Sequence, residues 1–469
     1  ADPKNEYYAL LLAKSYEQKY DAEEALKVYK RMIAEIPNSD ERYFDMANIY
    51  IYQRNYTEAL KVYSKIEAIF GQSLELTRQK QQIYLRENKL DKAIEEGNKL
   101  IKVFPEDNDI KVAQAEFLYT NKKEEEAVKI LEEVVKDDPD NPSSHLILAD
   151  IYQMKGQQDK ANAELTLVFQ NPEVELNTKL KILENYIRSP KTDENKKLTM
   201  TLAEQIVKTH PTDARSYAAL GEAYLMVDNK EEAWNQFVKS KNLDERNYNL
   251  WLQLITLDSD LKKNDSLISH SEKALESFPN QAILWLYNGT GYLQKKNDKK
   301  AIEAFEEGKK LAGTNQELSN YFNMHLGDTY NNTKEYSKSN AAYEEVLKVD
   351  PNNDHVLNNY SYFLSIRKDK LQEAKEMSEK LVKKYPTDAT YLDTHAWVLY
   401  MMKDYAGAKK YLETAILNSN NGTIVEHYGD VLYQLGEKDK AIEQWKIAKK
   451  MGETSEFIDR KLAEGKLYE

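Results

Sequence analysis

Histidines are the residues of this chain best suited to acid–base or metal chemistry. There are seven of them: His145, His210, His270, His325, His355, His395 and His427. No two stand at the i, i+4 spacing that would put two ligands on one helical face. The chain has no cysteine, which excludes thiolate metal sites, cysteine nucleophiles and disulfides. We therefore predict no metal site.

The motifs of phosphate and nucleophile sites are also absent from the sequence. It contains no G-x-x-x-x-G-K-[ST], no G-x-G-x-x-G, no H-E-x-x-H and no G-x-S-x-G. Acidic runs such as Glu124, Glu125 and Glu126 open predicted second helices, where carboxylates complement the positive end of the helix dipole. The sequence therefore predicts a protein with no catalytic residue and no cofactor.

Composition narrows the classes of fold and partner. The 469 residues include only 15 Gly and 11 Pro, which leaves little room for the tight turns of a β-sandwich or barrel. Charged residues make up 31% of the chain, as in helices with one solvent-facing side. The net charge of −13 disfavours nucleic acid as a partner. No apolar run approaches the roughly 18 residues that a membrane span requires.

A repeat of 34 residues organises the chain. Its anchor is a residue that is mostly small, at Ala25, Ala59, Ala93, Ala127, Ala161, Thr199, Ala233, Leu267, Ala301, Ser339, Ala374, Ala408 and Ala441. A second small residue often precedes the anchor, a large one follows that residue, and a proline such as Pro37 often follows the anchor. Each unit fits two helices and two short turns, with proline ending the second helix.

This pattern resembles the tetratricopeptide repeat. The strongest unit runs from Tyr217 through Gly221 to Tyr224, followed by Ala233 and Phe237. The third, sixth and eighth units are weak; Gln81 replaces the small residue of the third, and Ile255 and Asp258 occupy the small and large positions of the eighth. The resemblance implies an all-α fold, a right-handed α-solenoid of about 13 antiparallel helix pairs. It also implies that the first helices line a concave groove for proteins or peptides.

Irregularities in the register predict how the array is divided. Pro3 is in register with Pro37, so residues 1–5 are interpreted as the tail of an upstream repeat. Four extra residues interrupt the sixth unit and another four precede the tenth. The predicted segments are an N-terminal array over 6–188, an inserted loop over 189–195, a central array over 196–312, a C-terminal array over 313–453, and a capping helix and tail over 454–469.

Two groups of groove residues are candidate partner-binding sites. In the C-terminal repeats, the register aligns Trp397 with Asp430 and Tyr400 with Tyr433, with Glu426 nearby. These aromatic and acidic side chains suit an apolar peptide that carries a basic residue. The N-terminal candidates are Phe44, Asn48 and Tyr52. The alternative for each aromatic residue is ordinary packing, with Trp397 as a wedge between helix pairs.

The predicted function is a non-catalytic scaffold that binds partner proteins or peptides along the groove. The alternative is the regulatory or substrate-docking region of an enzyme whose catalytic part lies upstream or on another chain. Self-association through the end repeats is a further possibility. In outline, the sequence resembles bacterial envelope lipoproteins with tetratricopeptide repeats, which implies a periplasm-facing location in preference to the cytoplasm and a role in envelope assembly or secretion.

Overall fold

The computed structural model describes residues 5–468, which are built from helices and turns without a strand. Helix accounts for 78% of the structure. The first thirteen helices are α1 Glu6–Gln18, α2 Ala22–Glu35, α3 Arg42–Tyr52, α4 Tyr56–Phe70, α5 Leu74–Arg86, α6 Leu90–Val103, α7 Asn108–Thr120, α8 Glu124–Asp137, α9 Pro142–Met154, α10 Gln158–Gln170, α11 Leu176–Arg188, α12 Asp193–Thr209 and α13 Ala214–Met226.

The remaining helices are α14 Lys230–Leu243, α15 Tyr248–Asp260, α16 Asn264–Ser277, α17 Ala282–Gln294, α18 Asp298–Ala312, α19 Gln316–Asn332, α20 Tyr336–Val349, α21 Asp354–Ile366, α22 Leu371–Lys384, α23 Ala389–Met401, α24 Tyr405–Ala415, α25 Gly422–Gln434, α26 Lys438–Met451 and α27 Ile458–Glu464. The predicted all-α solenoid of helix pairs followed by a terminal helix is confirmed. Residues 1–4, including Pro3, lie outside the described part.

Local sequence explains why the helices begin and end where they do. Many start at a capping side chain, as at Asp107, whose carboxylate accepts from the backbone N–H of Ile110 at 3.1 Å. The first helix of a pair commonly ends in a turn with one residue in the left-handed region, such as Asn88 at φ 59°. These short, capped turns return the chain at once into the second helix.

The chain forms two compact units, residues 1–228 and 229–469. The first holds α1–α13 and the second holds α14–α27. Within each unit, helices that follow one another along the chain pack together, as α1 does on α2 and α17 on α18. The division of the repeat array near residues 189 and 313 stays a prediction.

The two four-residue insertions are built into helices. Both α12 and α19 are 17 residues long, against 13 or 14 for most of the others. Four residues add about one helical turn, and Thr192 and Asn315 cap these lengthened helices at their new starts. The predicted inserted loop over 189–195 is therefore wrong at its end, because α12 already begins at Asp193.

Small residues twelve positions before the anchor make room for aromatic rings sixteen residues further on. A Cβ atom added to Gly289 would lie 2.4 Å from Cε1 of Phe305, and one added to Gly327 would lie 2.5 Å from Cε1 of Tyr343. Both rings are fully buried. The glycines are therefore required for close approach of the two helices within a pair.

Gly289→Leu should separate α17 from α18 and destabilise the second unit by about 1–3 kcal/mol or more, since the added side chain overpacks the Phe305 contact. Gln294→Leu, at an exposed position on the same helix, is the control and should leave urea denaturation nearly unchanged. Because repeats contact their neighbours, hydrogen exchange should accelerate mainly around α17 and α18. A uniform increase along residues 229–468 would contradict this nearest-neighbour picture.

The weak third repeat is held by a buried amide network. Gln81 donates through Nε2 to the carbonyl of Ala93 at 3.2 Å and to Oε1 of Gln114 at 2.9 Å. Gly97 leaves the space for this pair, because a Cβ atom there would lie 1.8 Å from Gln114 Oε1. A satisfied polar contact thus replaces the small apolar residue of the repeat pattern.

In the weak eighth repeat, buried hydrogen bonds also replace an apolar contact of the repeat pattern. Asp258 is fully buried, and its carboxylate accepts from Nε1 of Trp234 at 2.7 Å and lies 2.7 Å from Nδ1 of His270. These two partners lie on α14 and α16, on either side of α15 in the chain. Asp258 therefore joins three helices through hydrogen bonds at a position where other repeats carry a large apolar side chain.

Candidate functional site

A cavity of about 340 Å³ opens between the first two helix pairs. We call it the tyrosine pocket; it is lined by Lys14, Glu17, Tyr20, Ala22, Asp45, Asn48, Ile49 and Tyr52. Two of the three predicted N-terminal residues, Asn48 and Tyr52, lie in it. Tyr20 and Tyr52 are 80% and 74% exposed, so their rings offer apolar area that no other part of the described chain covers.

The charged groups of the tyrosine pocket already pair with one another. Lys14 contacts Glu17 at 3.1 Å and Asp45 at 3.0 Å, and Arg42 contacts Asp45 at 3.1 Å. Burial lowers the pKa of Lys14, but its hydrogen bonds with Asp45, Tyr29 and Glu17 outweigh burial and raise that pKa overall. Lys14 and Arg42, of which only Lys14 lines the pocket, thus leave neither of its two carboxylates without a cationic partner.

Tyr20 has an unusual backbone for an aromatic residue. Its φ of 59° lies in the left-handed region, which bulky side chains rarely adopt. The turn between α1 and α2 imposes this conformation, since the corresponding turns hold Arg54 and Asn88 at φ 56° and 59°. The turn directs a large, exposed ring to the rim of the pocket at a cost in backbone strain.

Phe44, the third N-terminal candidate, lies in a neighbouring depression. Its ring packs on Phe70 with centroids 5.8 Å apart, and the two side chains are 40% and 50% exposed. They line a cavity of about 620 Å³ between the ends of α3, α4 and α5. An exposed phenylalanine pair therefore lies beside Asp45, which lines both cavities.

The C-terminal candidates lie largely inside the protein. Trp397 and Tyr400 are 9% and 4% exposed. The Trp397 ring stacks on Tyr400 at 4.8 Å and on His427 at 4.0 Å. Tyr433 is half-buried and stacks on Trp445 at 5.7 Å. This placement matches the alternative of a packing wedge for Trp397, and a partner-binding role for the group stays a prediction.

The two acidic candidates need a correction. Glu426 and Asp430 are each 2% exposed and are not available to a basic ligand in this structure. Lys461, on α27, lies 2.9 Å from Glu426 Oε1 and 2.7 Å from both carboxylate oxygens of Asp430. The basic group expected from a partner is thus supplied by the terminal helix of the same chain.

Burial and pairing act oppositely on these carboxylates. Burial raises the pKa of Asp430 to about 6, although Lys461 partly offsets this effect. Burial also acts to raise the pKa of Glu426, but hydrogen bonds from Ser455 and Lys461 outweigh it, so that pKa lies below its ordinary value. Trp445 also donates from Nε1 to Asp430 at 2.8 Å. The arrangement fastens α27 to α25 and α26.

Sequence reasoning missed Tyr20 and Lys461. Tyr20 follows the first helix by two residues, where the chain turns, so a search confined to helical faces could not find it. Lys461 lies in a helix outside the 34-residue register and has no positional counterpart. The one available signal was the pair of carboxylates, Glu426 and Asp430, one turn apart on the same helix.

Among residues 5–468, no group of three or more histidine, aspartate and glutamate side chains is arranged to hold a metal ion. Within the same residues, no helix has both the length and the apolar character needed to cross a bilayer.

Comparison with known proteins identifies the repeats. Family models described as tetratricopeptide repeat match residues 84–151 and 321–353. A TPR repeat-containing protein of Pseudomonas aeruginosa is 27% identical over 167 residues, which is 35% of this chain and 28% of that protein. The human protein O-mannosyl-transferase TMTC3 is 26% identical over 250 residues, 51% of this chain and 26% of that protein. The chain thus spans little more than a quarter of either relative.

One protein of known structure is also similar to this chain. A tetratricopeptide repeat protein from Parabacteroides merdae is 16% identical and covers 56% of this chain and 98% of its own, with a TM-score of 0.44. The paired helices and close small-to-aromatic contacts define an α-solenoid, a class of protein whose repeats offer extended binding surfaces. The chain contains tetratricopeptide repeats, and repeats of this kind support a general role as a protein-interaction scaffold.

Proposed function

We propose that this protein is a non-catalytic scaffold that holds a partner peptide in the tyrosine pocket of its first unit. The observation that carries the proposal is the exposure of Tyr20 and Tyr52 around a cavity of about 340 Å³. Tyrosine offers a large contact area and loses little conformational entropy on binding. The pocket suits an apolar side chain, with Phe44 and Phe70 offering a second contact alongside.

The paired charges of the pocket favour an apolar anchor over a charged one. A ligand carboxylate would have to displace Glu17 or Asp45 from Lys14, and a ligand cation would compete with Lys14 and Arg42 for the same acids. An apolar side chain disturbs none of these contacts. It gains free energy by covering the two tyrosine rings, at about 25 cal/mol per Å² of apolar surface removed from water.

Binding of labelled peptides tests this function. The probes are fluorescein-labelled 12-residue peptides in a Gly/Ser/Asn host, with central Leu and Phe anchors or with Asp or Lys in their place. The apolar peptide should bind best. Tyr52→Ala should weaken its binding roughly 30-fold, as expected for a hot-spot residue worth about 2 kcal/mol. The melting temperature should hardly change, because the Tyr52 side chain is 74% exposed.

Tyr321→Ala is the matched control, since Tyr321 is 46% exposed and lies in the second unit. It should leave peptide binding unchanged. The proposed site is wrong if the Asp or Lys peptides bind as well as the apolar one, or if Tyr52→Ala and Tyr321→Ala have equal effects. A bacterial envelope location and a role in assembly or secretion stay predictions on the sequence resemblance.

A second candidate role is the docking region of an enzyme. It is favoured by the similarity of half of this chain to a human protein named as an O-mannosyl-transferase. A docking region would lower the KM of an attached catalytic part for substrates that carry the apolar anchor. Tyr52→Ala would then raise that KM with kcat unchanged, whereas a scaffold would show peptide binding with no turnover linked to it.

A further inference from the structure

Five successive repeats of the second unit carry lysine at the same position of the turn between their two helices. Each of these lysines follows the last residue of the first helix by two. They are Lys262, Lys296, Lys334, Lys368 and Lys403. The same position in the first unit is mixed, with Tyr20, Arg54, Asn88, Lys122 and Gly156. We call the five residues the lysine row.

The side chains of the lysine row are exposed and unpaired. All five residues are exposed, and none of their ammonium groups hydrogen-bonds or forms an ion pair with any residue from 5 to 468. Neighbouring lysines differ, since Lys263, Lys295 and Lys338 bind Glu231, Asp265 and Glu335 at 2.6, 2.8 and 2.6 Å. Local acids are thus largely engaged by other lysines.

Backbone geometry makes this choice of residue costly. The five lysines have φ between 55° and 66°, in the left-handed region that glycine and asparagine adopt more easily. Gly156 and Gly436 show that glycine fits the same turn. Folding of the turns therefore does not require lysine, and the repeated charge needs another explanation.

The turns follow one another along one edge of the second unit. The first helices α15, α17, α19, α21 and α23 contact one another in sequence, and packed helices lie about 8–10 Å apart. Unpaired ammonium groups therefore recur along this edge at about that interval. Asp298, Asp369 and Asp404 lie beside the row and reduce its charge without cancelling it.

We propose that the lysine row docks the protein on an anionic lipid surface. The charged groups sit on turns, which project beyond the helix ends, so a flat surface can reach several of them without entering a cavity. A peptide added as a β-strand would need free backbone partners, and the backbone groups at these turns already bond within the turn, as Lys296 N does to Leu293 O at 2.9 Å. Each lysine near such a surface adds to the attraction towards anionic lipid.

Exposed apolar side chains beside the row fit the same surface. Tyr336 and Ile366 are 41% and 42% exposed and lie two residues from Lys334 and Lys368 respectively. An interfacial aromatic ring and an aliphatic side chain can enter the headgroup region while the ammonium groups contact lipid phosphates. A net charge of −13 would orient the rest of the molecule away from the lipid.

Vesicle sedimentation with the whole chain tests the proposal. The probes are vesicles of phosphatidylcholine with about one-third phosphatidylserine or phosphatidylglycerol, and pure phosphatidylcholine vesicles. The protein should sediment with both anionic vesicles at low salt and much less at 0.5 M salt. Replacing all five row lysines by Gln should lower partitioning by at least about tenfold.

A matched variant removes five lysines from second helices and leaves the row intact: Lys273, Lys310, Lys348, Lys383 and Lys449, each exposed and paired with a carboxylate. It changes net charge equally and should bind vesicles nearly as the unmodified protein does. Circular dichroism establishes that both variants are folded. Equal losses in the two variants would overturn the proposal.

Two other results would also overturn it. One is sedimentation that does not distinguish anionic from pure phosphatidylcholine vesicles. The other is binding of a labelled ten-glutamate peptide that requires the row lysines, in a protein that binds neither anionic vesicle. That result would assign the row to an acidic protein segment.

Discussion

Lys461→Ala is expected to destabilise the end of the second unit by about 3–5 kcal/mol, the usual cost of removing one partner from a buried ion pair. Lys461 is 2% exposed and contacts both Glu426 and Asp430. Its loss leaves two carboxylates in the interior without a cation. Hydrogen exchange should show α27 detached and α25 and α26 less protected, and urea denaturation should begin earlier.

The destabilisation should diminish as the pH falls. Without Lys461, the pKa of Asp430 in the folded variant rises further above its unfolded value, and the pKa of Glu426 loses part of what lowers it and rises as well. A folded state with raised carboxyl pKa values takes up protons before the unfolded state does, so lowering the pH from 8 to 5 favours the folded variant. The difference in unfolding free energy between the original protein and the variant should therefore shrink over this range.

Arg460→Ala is the matched control for the Lys461→Ala substitution in α27. Arg460 is the neighbouring residue on α27, and its ion pair with Glu464 at 3.1 Å is exposed. Its removal should cost no more than about 1 kcal/mol. Combining Lys461→Met with Glu426→Gln and Asp430→Asn should recover much of the lost stability, because the variant then buries no charge. Equal effects of the Lys461 and Arg460 substitutions would show that the contacts of Lys461 with Glu426 and Asp430 do not hold α27 in place.

The helical repeat could be predicted from sequence because its determinants are local and recur. Ala59, Ala93 and Ala127 are fully buried, so spacing alone located contacts between helices. The insertions were harder to place, since four added residues fit a loop and a helical turn equally well. The capping side chains of Thr192 and Asn315 decided in favour of the helix.

The candidate sites were harder to predict than the fold. The repeat register identifies which side of a first helix faces its neighbours, but exposure on that side depends on what covers it. Tyr52 is left open, whereas Trp397 is covered by Tyr400 and His427. Asp430 is covered by Lys461, which lies 31 positions further along the chain. Lys461 belongs to a helix that the repeat pattern does not describe.

The degenerate repeats also depend on contacts that the sequence pattern does not include. Gln81 and Asp258 break the apolar pattern, yet both are buried and hydrogen-bonded. A polar side chain at a predicted core position is expensive without partners, and those partners lie on other helices. Such repeats therefore match the sequence pattern weakly. In the structure, hydrogen bonds with Gln114 and Trp234 replace the missing apolar contacts.

Trp397→Ala should lower stability by about 3–5 kcal/mol if the ring is a packing wedge, as for other large buried side chains. The ring is 9% exposed and lies between Tyr400 and His427. Its removal would leave a cavity and expose the His427 imidazole. Burial acts to lower the pKa of His427, but Asp393 at 2.8 Å outweighs burial and raises that pKa overall.

Two further substitutions distinguish a packing role of Trp397 from a partner-binding role. The Trp397 indole Nε1 is buried without a hydrogen-bond acceptor among the described residues, so Trp397→Phe keeps the stacking and should cost much less than Trp397→Ala. Tyr433→Ala removes a half-buried ring and should cost less as well. A wedge predicts that binding of the labelled peptides falls only in proportion to unfolding. If instead Trp397→Ala and Tyr433→Ala abolish binding while the melting temperature is unchanged, the C-terminal aromatic group is the binding site and the tyrosine pocket is not.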